Sequence, residues 1–239
     1  MTPSQRSSYD RFANTRWSVV MRTAASATPV ASAALTELTQ HYWYPVYAFT
    51  RCCGHPPAIA QDIARSFLTL LMSDFRNGGL DTQGQFRRFL LERLNEFLAS
   101  DWREAVDAGS EIELIAPTDL EARYQHDHFD ASLPEQAYQR SFALELIARA
   151  RTRLRSEAAR SGHLDMYVAL EHSLAHEPGP GEYEATATQL GTRPLALIVA
   201  LKRLRQRLRE LVAEELADTV TCGEELAREQ AALHRILRS

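Results

Sequence analysis

The chain has 239 residues, 45% of them hydrophobic, and a formal net charge of −4. This composition is typical of a soluble globular protein. The negative net charge excludes binding to nucleic acid by bulk attraction, so any such contact has to come from local basic surfaces. The apolar runs are too short to cross a bilayer, and residues 1–10 are polar, unlike a signal peptide. The sequence therefore predicts a cytoplasmic protein without a membrane partner.

Along the chain Val and Ile are few beside the helix-forming residues Ala, Leu, Arg and Glu, and no stretch alternates cleanly for long as a strand would, which predicts an all-α fold. The first helical region covers 30–51, and Pro45 is expected to kink or split it. Gly54–Pro57 is a turn that starts a second helix. A third helix is predicted over about 84–106. Apolar residues share one face of the second and third helices: Ala60, Ile63, Ala64, Phe67, Leu68 and Leu71, then Phe86, Phe89, Leu90, Leu94 and Phe97.

The composition changes after the third helix, because residues 107–130 are acidic and contain Gly109 and Pro117. Further helices are predicted over 134–160 and 163–176, and a tail helix is predicted from Glu224. The sequence thus predicts two helical domains, 1–106 and 134–239, joined by a flexible acidic linker at 107–133.

The segment 193–212 combines a helical leucine stripe with a run of positive charge. Leu197, Leu201, Leu204, Leu208 and Leu211 recur at steps of three and four, which marks one face of a helix. A short helix over 183–190 and a tight turn at 190–192 precede it. These are the parts of a helix-turn-helix, whose second helix can enter the DNA major groove. The alternative is a solvated basic face on an ordinary bundle helix.

Several short stretches, taken in order, resemble the sigma-70 family of bacterial RNA polymerase sigma factors, in particular the extracytoplasmic-function (ECF) type. They are Thr15–Val20, Tyr42–Phe49, Gln61–Ile63, Phe86–Leu91, Phe97–Ala99, Leu190-Gly191 and Lys202–Arg207. The resemblance covers nearly the whole chain, although no single stretch would be sufficient.

The resemblance implies a transcription initiation factor without an enzymatic reaction or a cofactor. In that family a region 2-like domain binds core RNA polymerase and melts the −10 element. A region 4-like helix-turn-helix domain reads the −35 element. The expected partners are core RNA polymerase and promoter DNA.

The resemblance also implies the residues of both surfaces. The DNA contacts would be Arg87, Arg88, Asn95, Trp102 and Arg103 in the first domain, and Arg193, Lys202, Arg203, Arg205 and Arg207 in the second. The polymerase contacts would be Gln61, Asp62, Arg65 and Ser66. Trp102 either stacks on a base or packs inside the domain.

Three stretches depart from the family pattern. Arg65-Ser66 replaces residues that are usually polar or acidic, and 104–113 is acidic where the family is basic. Pro194-Leu195-Ala196 and Ile198 stand where polar residues normally read base edges. These departures favour an alternative function, a sigma-derived interaction module that acts as a decoy, a scaffold or a partner-dependent regulator. A third possibility is activation by a regulatory protein or a kinase, since a phosphate near Arg65 would replace the missing acidic contact.

The candidate metal ligands are two histidine pairs, one of them beside Asp127 and Asp130. His126 and His128 lack a third ligand at suitable spacing. His172 and His176 are four residues apart, but the glutamate of a zinc-hydrolase motif is missing. The sequence therefore predicts neither a metal site nor an enzyme.

Overall fold

The computed structural model of the chain describes Trp17 and residues 29–77, 85–107, 117–129 and 132–237. Within these residues there are α-helices and one short 3-10 helix but no strand, which confirms the all-α prediction. The α-helices are α1 (Pro29–Gln40), α2 (Trp43–Cys52), α3 (Pro57–Arg76), α4 (Phe86–Ala99), α5 (Trp102–Asp107), α6 (Leu120–Asp127), α7 (Pro134–Arg160), α8 (Leu164–Leu170), α9 (Glu182–Gln189), α10 (Pro194–Ala217) and α11 (Gly223–Ile236). The 3-10 helix, His172–Leu174, follows α8. None of the helices within these ranges is long and apolar enough to cross a membrane.

The chain divides into two compact units. Unit 1 comprises Met1–Glu145 together with Leu216–Ser239, and unit 2 comprises Leu146–Glu215. This division differs from the predicted domains, because both α6 and the tail helix α11 belong to unit 1. The domain bounds 1–106 and 134–239 remain predictions.

Aromatic side chains build the core of unit 1. Trp17 is fully buried, and its ring lies 4.8 Å from that of Phe86. The Trp17 backbone N–H donates to the Asp218 carbonyl (3.0 Å), and the Phe86 N–H donates to the Thr219 carbonyl (3.1 Å). These two bonds attach Trp17 and Phe86 to the segment that follows α10. The other residues of the Thr15–Val20 motif lie outside the described residues.

The first helical region is split, but not at Pro45. The break falls at His41-Tyr42, between α1 and α2. Pro45 lies in the first turn of α2, where its missing N–H has no helical partner to lose. The predicted turn at Gly54–Pro57 is present, and α3 begins at Pro57.

The third predicted helix is two helices, α4 and α5, with the break at Ser100-Asp101. The Ser100 hydroxyl donates to the Phe97 carbonyl (2.7 Å), and the Ser100 backbone is extended. Such a local bond competes with helix continuation, which explains why the prediction of one helix over 84–106 is wrong. The predicted apolar faces of α3 and α4 are buried as expected.

Part of the predicted linker is an ordered helix. Helix α6 packs on α2 through a bidentate ion pair between Arg51 and Glu121, at 2.9 and 3.0 Å. The Tyr47 hydroxyl also donates to Glu121, and the Tyr124 ring lies under the Arg51 guanidinium. The hydrogen bonds from Arg51 outweigh partial burial and lower the pKa of Glu121 to about 2. Residues 108–116 of the linker lie outside the described residues.

Unit 2 has two neighbouring apolar clusters. One consists of Ala150, Leu154, Ala158, Tyr167 and Leu211, and the other of Leu170, Ala187, Leu197 and Leu201. The predicted leucine stripe of α10 contributes to both, and Leu204 and Leu208 pack at their edges. The stripe therefore fixes which side of α10 faces solvent.

Candidate nucleic-acid interface

Helices α9 and α10 are joined by the turn Leu190–Arg193, at the predicted position. Gly191 has a φ of +62°, a left-handed conformation that costs other residues about 1–2 kcal/mol. The Thr192 N–H donates to the Ala187 carbonyl (2.9 Å), and the Gly191 N–H to the Thr188 carbonyl (3.3 Å). This pair of bonds is a Schellman motif. It ends α9 and turns the chain into α10, which begins with proline as first turns allow.

The solvent side of α10 begins with apolar residues. Leu195 is 69% exposed, and Ile198 and Val199 are also exposed. Lys202 follows on the same side of the helix, with Arg203 at its margin. The side chains that could reach base edges are therefore apolar, and aliphatic side chains contact only the thymine methyl group.

Three of the predicted cations of unit 2 are exposed: Arg193, Lys202 and Arg203. None of them forms an ion pair or a side-chain hydrogen bond with another residue in the described part of the chain. They are available for phosphate contacts, which position a protein on DNA but do not read its sequence.

Arg205 is held inside unit 2. Its guanidinium donates to the Ser173 carbonyl (3.2 and 2.7 Å) and to the His176 carbonyl (2.7 Å). It also forms an ion pair with Glu177. Arg205 is predicted to contact DNA, but in this conformation it binds residues 173–177, which follow α8, to α10.

Arg207 is surrounded by carboxylates. It forms a bidentate pair with Glu157 (2.8 and 2.8 Å) and also contacts Glu210 (3.2 Å) and Glu214 (3.1 Å). The hydrogen bonds with Glu157 raise the pKa of Arg207 and lower that of Glu157. The charge of Arg207 is balanced locally, and its predicted contact with DNA stays a prediction that would require these ion pairs to open.

The ion pairs of unit 2 continue to Glu215, which is nearly buried. It accepts hydrogen bonds from Arg149 (3.0 Å) and Arg153 (2.7 Å). Burial alone would raise the pKa of Glu215, but the hydrogen bonds from Arg153 and Arg149 lower it overall. These ion pairs join α7 to α10 and so stabilise unit 2. The predicted DNA contacts Lys202 and Arg203 do not take part in them.

In unit 1, Arg88 and Asn95 lie exposed on α4. The Arg88 side chain is 80% exposed and pairs with Glu92 one turn away, while the Asn95 amide donates to the Leu91 carbonyl. Surface pairs of this kind contribute little stability. Both side chains are free to rearrange toward a nucleic acid.

Trp102 is half-buried, so its ring both packs on neighbouring residues and keeps an open face. The centres of the Trp102 and His55 rings lie 5.5 Å apart with the rings nearly perpendicular, and the Arg103 guanidinium lies 4.6 Å from the centre of the Trp102 ring. A partly open indole next to a cation suits stacking on a single-stranded base.

Arg87 was also predicted to contact DNA, but its side chain is engaged within unit 1. Its side chain is 11% exposed and pairs at 2.8 Å with Glu229 of the tail helix, which is 5% exposed. The guanidinium lies over the Phe142 ring. Since exposing it would leave Glu229 buried and unpaired, the structure assigns Arg87 to the core of unit 1.

The predicted polymerase contacts lie on one side of α3. Arg65 is exposed, and Gln61, Asp62 and Ser66 are half-exposed. Asp62 and Arg65 approach to 3.6 Å as an exposed pair. Beneath them Ile63 and Phe67 are buried. The surface is therefore polar with balanced charge, rather than acidic.

The candidate metal ligands do not come together. The His172 and His176 rings lie 5.4 Å apart, but no group of three or more potential ligands is present among the residues that the structure describes.

Comparisons with known proteins provide no relative. No protein-family model matches the chain, and no curated protein or solved structure is significantly similar to it.

Proposed function

We propose that the chain is a sigma-like transcription initiation factor that binds core RNA polymerase and directs it to promoter DNA. The observation that carries this proposal is the α9–turn–α10 arrangement, with three uncommitted cations on α10 and in the turn before it. The proposal places the protein in the cytoplasm and gives it no reaction of its own.

The proposed DNA surface of unit 2 is smaller than the sequence suggests. Arg193, Lys202 and Arg203 would hold phosphates, and Leu195 or Ile198 would contact a thymine methyl group. Each phosphate contact contributes about 0.9 to the slope of log affinity against log salt, so three contacts give a slope of roughly −2.7. In unit 1, Arg88, Asn95, Trp102 and Arg103 would bind the melted strand.

A salt titration of DNA binding tests this surface. The full chain would be used to select duplexes from a randomised pool at low salt, and the affinity for the enriched sequence would be measured at several salt concentrations. Lys202→Gln is expected to weaken binding and to reduce the slope by about 1. Arg228→Gln, which removes an exposed cation of α11, is the matched control. Absence of saturable binding, or an unchanged slope in Lys202→Gln, would contradict the proposal.

The second candidate is the sigma-derived interaction module. Exposed Leu195, Ile198 and Val199, at the start of α10, favour it because base readout needs polar groups there. The internal ion pairs of Arg205 and Arg207 favour it as well. Under this function the same selection would enrich no sequence, whereas one preferred sequence would exclude it.

A further inference from the structure

Unit 2 contains a groove that shares one residue, Arg203, with the proposed DNA surface. It has a volume of about 440 Å³ and lies between the end of α7, the start of α8 and the middle of α10. This volume is within the range of small-molecule sites, roughly 300–1,000 Å³.

The floor of the groove is apolar and its edge is polar. Leu154, Ala158, Met166, Tyr167, Ala200 and Leu204 contribute the apolar side chains. Ser161, His163, Glu157, Arg203 and Arg207 contribute the polar ones. An apolar cleft with a few polar groups at one side is the usual form of a site for an amphipathic small molecule.

The two arginines of the groove differ in what they offer a ligand. Arg207 is engaged by Glu157 through both carboxylate oxygens, at 2.8 and 2.8 Å. Glu157 is thereby ion-paired, while Arg207 also contacts Glu210 and Glu214 and is not free for a ligand. Arg203 is exposed and forms no ion pair within the described ranges, so its guanidinium can donate two hydrogen bonds to a carboxylate in the bidentate geometry that arginine favours.

We propose that this groove binds a small molecule with an apolar body and a single carboxylate, which pairs with Arg203 while the body lies on Met166, Ala200 and Leu204. His163, whose ring lies 3.2 Å from the Ser161 hydroxyl oxygen, provides a second polar group at the edge. The negative charge of the ligand is complementary to the one cation at the groove that the described residues leave unpaired.

Ligand binding in this groove does not depend on the proposed function, but one consequence does. If Arg203 holds DNA phosphate, then a carboxylate bound to it competes with DNA. The ligand would then weaken DNA binding by the wild-type chain and have no effect on DNA binding by Arg203→Gln.

Decanoate, kept below its micellar concentration, is a suitable probe for the full chain. Titration would be followed by calorimetry and by the methyl NMR signals of the methionines, of which Met166 lines the groove. We expect saturable binding with one site per chain and a shift of the Met166 signal, assigned with Met166→Leu. Arg203→Gln should weaken the affinity at least tenfold, which corresponds to about 1.4 kcal/mol.

Two variants and one uncharged compound make the test specific. Arg155→Gln, which removes an exposed cation outside the groove, should bind decanoate as the wild type does. Ala200→Leu should block the groove and abolish the Met166 shift, while circular dichroism verifies the fold. Equal affinity for decanol and decanoate would overturn the proposal, and so would absence of binding or of a Met166 shift. These readouts contain no DNA, so their failure is separate from failure of the proposed function.

Discussion

Arg203 and Arg205 lie two residues apart on α10, yet their guanidinium groups have different surroundings. Arg205 reaches two backbone carbonyls and Glu177, whereas Arg203 faces solvent at the edge of the groove. A hydrogen bond to a charged group contributes about 1.5–3 kcal/mol to stability. The two side chains therefore have different predicted roles, structural for Arg205 and binding for Arg203.

Replacing Arg205 should lower the stability of the fold rather than remove a contact with DNA. Arg205→Gln is expected to lower the free energy of unfolding by about 1.5–3 kcal/mol, because the Ser173 and His176 carbonyls lose their donor. Arg203→Gln is the matched control and should change stability by less than about 0.5 kcal/mol, as expected of a surface site. Urea denaturation followed by circular dichroism measures both. Equal stability of the two variants would show that the Arg205 contacts are not maintained in solution.

Glu121 should make stability depend on acid pH. Its pKa is lowered to about 2 by the hydrogen bonds from Arg51. Its contribution is therefore fully present above the ordinary carboxyl pKa and is lost as the pH falls toward 2. Glu121→Gln should be less stable than the wild type at neutral pH, and the difference should shrink between about pH 4.5 and 2.

Denaturation of both proteins at several pH values measures this difference. Asp101→Asn, which changes an exposed carboxylate, is the control and should follow the wild type. A gap between Glu121→Gln and wild type that stays constant with pH would rule out the ion pair with Arg51.

The turn between α9 and α10 is the element on which the interface depends. Space is not limiting at Gly191, because an added Cβ would have no neighbour within 4 Å. The cost of a substitution there comes from the backbone conformation alone. Gly191→Ala is thus expected to destabilise the protein by about 1–2 kcal/mol, and Gly191→Asn by less, since asparagine tolerates this conformation. Equal midpoints of urea denaturation for Gly191→Ala and Gly191→Asn would contradict a left-handed backbone conformation at this position.

Periodicity predicted the helices that have a continuous apolar face. The stripes of α3, α4 and α10 are buried as the sequence indicates. Periodicity does not predict where one helix ends and the next begins. A side-chain hydrogen bond at Ser100 ends α4, and Pro45 lies in the first turn of α2 rather than at a break. Local chemistry of this kind leaves the apolar pattern intact, so the pattern does not show it.

Helix α6 shows why the sequence of the acidic segment predicts a linker rather than a helix. It has only two buried residues, Leu120 and Tyr124, so its apolar pattern is weak. Its attachment depends on the pair between Arg51 and Glu121, which are 70 positions apart. The ion pair between Arg207 and Glu157, which are 50 positions apart, is not predictable from the sequence for the same reason. Long-range ion pairs leave no periodic signal, so the sequence could place the basic helix but not say which of its cations are free.

Over the whole molecule, the formal net charge of −4 means that contact with nucleic acid depends on local basic surfaces. Arg87, Arg205 and Arg207 are engaged inside their own units. With so few contacts, unit 2 alone is expected to bind DNA weakly, and the proposed function depends on the polymerase to hold the protein on a promoter. Binding to core RNA polymerase is therefore the central claim.

The most direct test is co-elution of the purified full chain with core RNA polymerase on a sizing column at moderate salt. We predict a stable complex that Asp62→Lys disrupts, because Asp62 lies on the solvent side of α3. Asp165→Lys, a charge reversal at an exposed position of α8, should leave the complex intact. Separate elution of a folded, monodisperse chain and the polymerase would contradict the sigma-like function and favour the interaction module.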